Sequence, residues 1–205
     1  MAYRETRRTQ EKMAQKKEDI IKAARELFAE KGYQGTSIKA LAQKAKIATG
    51  TVYLYFANKE ELIQFVVDEM FQELLTVIKN ERKKYTDGFD KLQASIDVCF
   101  QVFLKERTMA KILLVQVPGI STSFQKKLLK IENEFVRWTK KDLEELKLEG
   151  RLPEGDTLVS AIALVGSFRQ VLFHYLMEGE PKDLETAFIN LKKYNLRGLG
   201  HGHES

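Results

Sequence analysis

Apolar residues recur at helical spacing along most of the chain, and no segment alternates with the two-residue period of a half-buried strand. Ile20, Ile21, Ala24, Leu27 and Phe28 form the inner stripe of a first helix that begins near Lys17 and stops at Gly32. Ile38, Leu41, Ala42 and Ala45 fall at i, i+3, i+4 and i+7 and predict a second, short helix, with Thr36 or Ser37 as its cap. After a turn at Lys46, Ile47 returns to the core and Val52 and Phe56 point inward at i and i+4. That leaves Thr49, Thr51, Tyr53 and Tyr55 on the opposite side. A fourth helix opens at Asn58, where Asn-Lys-Glu-Glu places acids at the positive helix end. It is expected to run to Tyr85, roughly 40 Å at the usual rise, a rod long enough to carry motion between domains.

Beyond Asp87-Gly88 all three prolines fall in predicted breaks: Pro118-Gly119, Gly150 to Gly155, and Gly179 to Pro181. Leu92, Ile96, Cys99 and Phe103 line one intervening helix, with Cys99 read as a small buried hydrophobe. Phe124, Leu128, Ile131, Phe135 and Trp138 line the next. The segment from Asp156 to Glu178 is apolar nearly all round and must be covered on several faces. A last helix carries Leu184, Ala187, Phe188 and Leu191 on one side. The fold class expected is all-α.

Outward tyrosines on a short helix are unusual unless something covers them. Hydroxyl groups at Thr49, Thr51, Tyr53 and Tyr55 suit phosphate oxygens and base edges, and Gly50 lets the backbone approach a partner closely. Residues 1–60 hold 13 Lys and Arg against 7 Asp and Glu, a net +6, whereas the rest of the chain is at −1. The whole basic excess therefore accompanies the short helices, which is an electrostatic footprint for DNA. Arg4, Arg7, Arg8, Lys12, Lys16 and Lys17 form either an arm toward a minor groove or a solvated extension.

The run Thr49-Gly50-Thr51-Val52-Tyr53-Leu54-Tyr55-Phe56, followed by Asn58-Lys59-Glu60-Glu61-Leu62, resembles the DNA-binding module of the tetracycline-repressor (TetR) family of bacterial transcription regulators. The resemblance is close over about the first 65 residues and one of layout thereafter. It departs from the family pattern at Lys46, where glycine is usual, and at Ala48, where a serine cap is usual. The resemblance implies an N-terminal three-helix helix-turn-helix DNA-binding domain over residues 1–60, with a basic arm. Residues 61–200 would form a C-terminal helical ligand-binding and dimerisation domain, and 201–205 a polar tail. It implies contacts to double-stranded DNA from Thr49, Gly50, Thr51, Tyr53, Leu54 and Tyr55, from Thr36, Ser37 and Lys39 on the preceding helix, and from Lys59 to a phosphate. It also implies a homodimer built on the last two helices, a palindromic operator, and a small-molecule effector whose binding releases DNA. Phe100, Phe103, Phe135, Trp138, Phe168 and Phe173 are candidate walls of the effector pocket, with Arg169 an anchor for an anionic ligand; an apolar or acyl-chain effector is the expectation.

No enzyme is expected: the chain has no glycine-rich phosphate loop, one cysteine and three histidines. No cofactor or metal site is expected, His201 and His203 being read as tail residues. The amino terminus lacks an apolar run, and the longest apolar stretch, Leu158 to Gly166, is short of the roughly 20 residues a bilayer requires. A cytoplasmic location, without a membrane partner, is therefore expected. The rival reading is a helical protein-interaction adaptor, which would explain the apolar last helices but not the basic tyrosine face.

Overall fold

The computed structural model describes residues 2–116 and 122–201. Among them the chain is all-α, with no strand. The helices are α1 (Ala2–Lys31), α2 (Ile38–Lys44), α3 (Thr49–Tyr53), α4 (Lys59–Arg82) and α5 (Gly88–Lys105). There follow α6 (Arg107–Lys111), which widens into a π turn over Ile112–Gln116, then α7 (Thr122–Leu148), α8 (Thr157–Glu178) and α9 (Leu184–Gly198). The chain divides into two compact units, Met1–Met70 and Phe71–Ser205, and the division falls within α4. The expected breaks at Gly150 to Gly155 and Gly179 to Pro181 lie between helices; the one at Pro118-Gly119 falls outside the described residues.

In the first unit α1, α2, α3 and the start of α4 enclose one core of Ile20, Ala24, Phe28, Leu41, Val52, Phe56, Leu62 and Val66, each at most 2% exposed. The first helix starts at Ala2, well before Lys17. Residues 2–16 contain neither Gly nor Pro and are rich in helix-favouring Arg, Lys, Glu, Gln and Ala, so α1 extends well before Lys17, and residues 7–16 are exposed. The pair Arg7–Glu11, at 3.3 Å and one turn apart, supports that extension. The helix stops at Gly32, whose φ of 72° is the left-handed conformation that glycine adopts freely.

The second unit is built on α5, α7, α8 and α9. Asp87 caps α5, accepting from the amides of Phe89 and Asp90, and its carboxyl is held below the usual aspartate range by the guanidinium of Arg151. A Cβ on Gly88 would lie 2.7 Å from Leu146 Cγ, so glycine lets the first turn of α5 sit directly on α7. Phe89, Leu92, Val136, Leu143, Leu146, Ala161 and Leu196 form one cluster, and Ile96, Phe100, Phe103, Leu164, Leu184 and Phe188 a second. Along α7 the buried line passes through Val136, Thr139, Leu143 and Leu146, which turns the expected Phe135 and Trp138 stripe by one residue and leaves those two half-buried. Burial pushes the Cys99 thiol up to about 12, which keeps it protonated and unreactive.

The fourth helix ends at Arg82 rather than Tyr85, because the next residues form a tight turn: the Lys84 amide donates to Glu81 O at 3.0 Å and the Tyr85 amide to Arg82 O at 3.2 Å. Arg82 closes α4 against its neighbours. Its guanidinium donates to both carboxylate oxygens of Asp142 on α7, at 2.8 and 2.6 Å, and to Ser95 Oγ on α5 at 2.9 Å. Burial pushes the Asp142 carboxyl upward, against the opposing pull of Arg82.

The eighth helix revises one expectation. It is 22 residues long and its most apolar stretch reaches a mean hydropathy of 1.3, so by length and composition alone it could cross a membrane. Only Ala161 and Leu164 on it are buried. Leu158, Val159, Ile162 and Met177, with Ile189 and Tyr194 on α9, remain at least 43% exposed.

Asp142→Ala is expected to lower the unfolding free energy by about 3–5 kcal/mol in chemical denaturation, since it strands the Arg82 charge beside a buried site. Replacing both partners by apolar residues of similar volume is expected to cost much less, because no uncompensated charge is left.

Candidate nucleic-acid interface

The first unit presents α3 through a chain of local devices. Ser37 caps α2 with φ −111° and ψ 152°, and its Oγ accepts from the Ala40 amide at 3.1 Å. Thr36 is therefore not the cap, and its side chain is turned into the fold. It is 2% exposed, and its hydroxyl donates to Gly32 O at 2.8 Å and Leu27 O at 3.1 Å, tying the end of α1 to the start of α2.

At the other end of α2 the Lys46 amide donates to Gln43 O at 3.1 Å and the Ile47 amide to Ala42 O at 3.0 Å. These are the two bonds of a Schellman turn, with Lys46 at the left-handed position, φ 56°. A non-glycine residue there costs about 1–2 kcal/mol. Ala48 follows as the N-cap of α3 with no side-chain bond to offer, so the first helical amides lack their usual acceptor. Thr49 is inside the helix rather than its cap, and its side chain stays exposed.

The helix itself is five residues long and is anchored by Val52 at 0% and Phe56 at 2% exposure. Its other side faces out. Tyr53 is 53% exposed and Leu54 82%, Thr49 and Gly50 are exposed, and Thr51 and Tyr55 are half-buried. A Cβ built on Gly50 meets nothing within 4 Å, so no packing within this chain requires glycine there. Lys39 on α2 and Lys46 in the turn are exposed on the elements flanking α3, and Lys46 was not among the DNA contacts expected from the sequence.

Other cations are spent inside the unit. Lys44 pairs with Glu26 at 3.0 Å and Glu30 at 3.2 Å, and those carboxylates raise its pKa. Lys17 lies 4.2 Å from the centre of the Phe65 ring, which removes it from any arm; Arg7, Arg8, Lys12 and Lys16 stay exposed along α1. Lys59 departs furthest from expectation. Its Nζ donates to Tyr33 O at 2.8 Å and Thr36 O at 3.0 Å and stands 4.3 Å from the centre of the Tyr33 ring. Burial lowers its pKa. The ammonium expected over a phosphate is here bonded to these internal acceptors. Tyr33, 8% exposed, is a participant that carried no signal in the sequence pattern.

The seven pocket candidates of the second unit do not converge. Phe100 stacks on Phe188 at 3.8 Å, Phe168 tilts against the same ring at 5.0 Å, and Phe103 meets Tyr175 edge-on, so these three fill a core. Phe135 packs edge-on against Phe71, while Trp138 lies beneath Lys79 and Arg82. Arg169 is exposed and pairs with Glu132 at 3.4 Å instead of facing a cavity, and Phe173 is half-buried on α8. None of the seven lines a cleft of about 270 Å³ that α4 and α5 form with Val77, Tyr85, Ala94, Val98, Gln101 and Val102. His201 packs edge-on against Phe89 at 4.7 Å; His203 lies outside the described residues.

A three-helix amino-terminal unit that anchors a very short helix by one face and exposes its tyrosine face is the build of a helix-turn-helix transcription regulator. Residues 20–66 match the family described as bacterial regulatory proteins, tetR family. Its amino-terminal segment thus carries the DNA-binding module of that family. It is 24% identical over 181 residues to the fatty acid metabolism regulator protein of Bacillus subtilis (strain 168), covering 88% of this chain and 93% of that one. Among solved structures it is similar to the transcriptional regulator FadR from Bacillus subtilis in complex with stearoyl-CoA, with a TM-score of 0.78, 23% identity and coverage of 88% of this chain and 97% of that one. It is likewise similar to the fatty acid degradation regulator FadR from Bacillus halodurans, at a TM-score of 0.79, 25% identity and coverage of 90% and 96%. These relatives are regulators, not enzymes.

Two substitutions test the local account of the turn. Ala48→Ser supplies the missing cap acceptor and Lys46→Gly relieves the left-handed side chain; each is expected to raise the unfolding free energy of the first unit by about 1 kcal/mol in thermal or urea denaturation.

Proposed function

We propose that this regulator is a ligand-released repressor that binds a palindromic operator as a homodimer. The observation that carries the reading is the division of α3 into a face buried through Val52 and a face exposed through Tyr53 and Leu54. Tyr53, Leu54, Thr49, Thr51, Tyr55 and the bare backbone at Gly50 would read the major groove. Ser37 and Lys39 would meet the backbone from α2. Residues 1–60 serve as the DNA-binding domain and 61–200 as the effector and dimerisation domain, working in the cytoplasm where the DNA is.

A recognition helix this short reads only a few base pairs, so a twofold pair and an inverted repeat with half-sites one or more helical turns apart are required. The apolar residues left exposed on α8 and α9 supply a surface for that pairing, and the small residues Ser160, Ala163 and Gly166 allow close approach. For the effector, the support is chemical kinship: a relative of the same fold is a complex with stearoyl-CoA. An acyl-chain ligand that fits only the form in which the two recognition helices are spread would withdraw the DNA-competent form to the extent of its differential affinity.

The adaptor reading draws on the same exposed face of α8 and α9. Salt-titrated gel shifts separate the two. The regulator is expected to bind its operator with an affinity that falls steeply as salt rises, and to release it on addition of stearoyl-CoA; an adaptor shows no sequence preference. Tyr53→Ala is expected to abolish preference for the operator while the protein stays folded and dimeric, because that side chain faces outward. Unfolding of the variant would contradict the facing of α3. Val159→Glu combined with Ile162→Glu is expected to shift the protein to monomer in sedimentation and to remove operator binding with it.

A further inference from the structure

Among the described residues Lys46 is the one non-glycine residue at positive φ, 56°. At Gly32, Gly150, Gly179 and Gly200, where φ lies between 70° and 87°, the chain uses glycine, which adopts that region freely. Where the left-handed region holds a polar side chain, asparagine or aspartate is favoured, because their short groups bond locally. Lysine lacks that advantage and brings a positive charge on a flexible four-carbon stem. That charge is not used inside the fold. Lys46 is exposed, and its ammonium has no hydrogen-bond or ion-pair partner among the described residues. Two residues earlier Lys44 shows the alternative, its ammonium held by Glu26 at 3.0 Å and Glu30 at 3.2 Å. The backbone at Lys46 is fixed all the same, since its amide donates to Gln43 O at 3.1 Å and the next amide, of Ile47, to Ala42 O at 3.0 Å. A mobile ammonium therefore stands on a fixed base.

That base borders the exposed side of the short helix. Lys39 and Gln43 are exposed one turn apart on α2, and Ala48, Thr49 and Gly50, where the chain enters α3, are exposed as well. Lys46 lies between the two sets. A duplex that admits α3 to its major groove carries phosphates along both edges of that groove, within the field of a cation beside the helix. We infer that Lys46 binds a backbone phosphate flanking the half-site. This rests on the DNA-binding reading above and adds a contact that the family resemblance does not imply, because the family pattern has glycine at this position. The contact raises affinity and leaves sequence preference to α3, since a phosphate is the same beside every base pair. A left-handed lysine is the conformational cost of carrying a charge where glycine would carry none.

Counterion release gives the measurement. Each phosphate that a lysine neutralises contributes about 0.9 to the slope of log affinity against log salt. A dimer loses two such contacts with Lys46→Gln, so between about 50 and about 200 mM salt the wild type is expected to lose roughly tenfold more affinity than the variant. The test compares wild type, Lys46→Gln, Lys46→Gly and Lys44→Gln on two duplexes: a fragment selected by the wild-type protein from genomic DNA, and a scrambled duplex of the same length. Both Lys46 variants are expected to bind both duplexes more weakly at low salt and with a smaller slope, the ratio of the two affinities staying unchanged. Lys44→Gln, with the same change in net charge, is expected to keep the wild-type slope. Should the glutamine variant fail to fold, Lys46→Gly decides, because it relieves the backbone: it is expected to resist urea better than the wild type while binding DNA more weakly. A wild-type slope in the folded Lys46 variants would overturn the inference, since the ammonium would then neutralise no phosphate. An equal drop in Lys44→Gln would overturn it in favour of the general field of the basic unit. Loss of preference for the selected fragment at an unchanged slope would overturn it in favour of a base contact or a role in orienting α3. Wild-type protein that prefers no duplex at all would instead refute the DNA-binding reading.

Discussion

A helix of five residues cannot hold itself together in water, where isolated helices much shorter than about 12 residues are marginal even in favourable sequences. The shape of α3 is therefore a property of its surroundings. Val52 and Phe56 pin its inner side, the Schellman turn at Lys46 delivers the chain into it, and the Asn58, Lys59 and Glu61 contacts receive the chain from it. Because so little of α3 is consumed by the core, nearly all of its remaining surface is available to a partner. Shortness, costly in stability, is what leaves the tyrosine face free.

The second unit solves a different problem. Its helices are long, and their buried stripes assemble two apolar clusters without help from the turns between them. The polar feature at its centre, Arg82 with Asp142, is a poor source of net stability but a strict one of geometry, since a bidentate pair tolerates little change in angle or distance. It fixes where α4 ends against α5 and α7. The hydropathy of α8 has its explanation here as well: the helix packs inward through Ala161 and Leu164 and still carries Val159 and Ile162 outside. That exposed apolar surface is the one proposed above for pairing with a second copy.

Much of this was legible in the residues. The periodicity placed α2, α3 and α5, Gly32 marked the end of α1, and the departure at Lys46 foretold a left-handed residue in the turn. The errors share a cause. Thr36 and Ser37 are both good caps, and a linear pattern does not say which of two adjacent hydroxyls points at an amide and which at a carbonyl. Lys59 occupies a position from which a side chain can swing outward to a phosphate or inward over a ring, and only the place of Tyr33 decides it. The aromatic residues of the second unit read equally as pocket wall or as core, because both need the same apolar surface; Phe100 and Phe188, stacked face to face, show that the core claims them. The early start of α1 leaves no trace in the hydrophobic periodicity, because residues 2–16 carry no apolar stripe.

The local rules broken by this chain gather in one place. Lys46 stands where glycine would be easier, Ala48 where a hydroxyl would cap, and Gly50 inside a helix where alanine would be firmer. Each forgoes on the order of 1 kcal/mol, and all three lie within five residues, on or beside the exposed side of α3. None is explained by packing within the chain: a Cβ on Gly50 has open space, and Lys46 is solvated. Deviations tend to persist where a surface answers to something other than stability. In the proposed reading, that something is a partner that approaches the backbone at Gly50 and accepts the cation of Lys46. A nucleic-acid groove, lined with phosphates and admitting a bare helix edge, meets both demands.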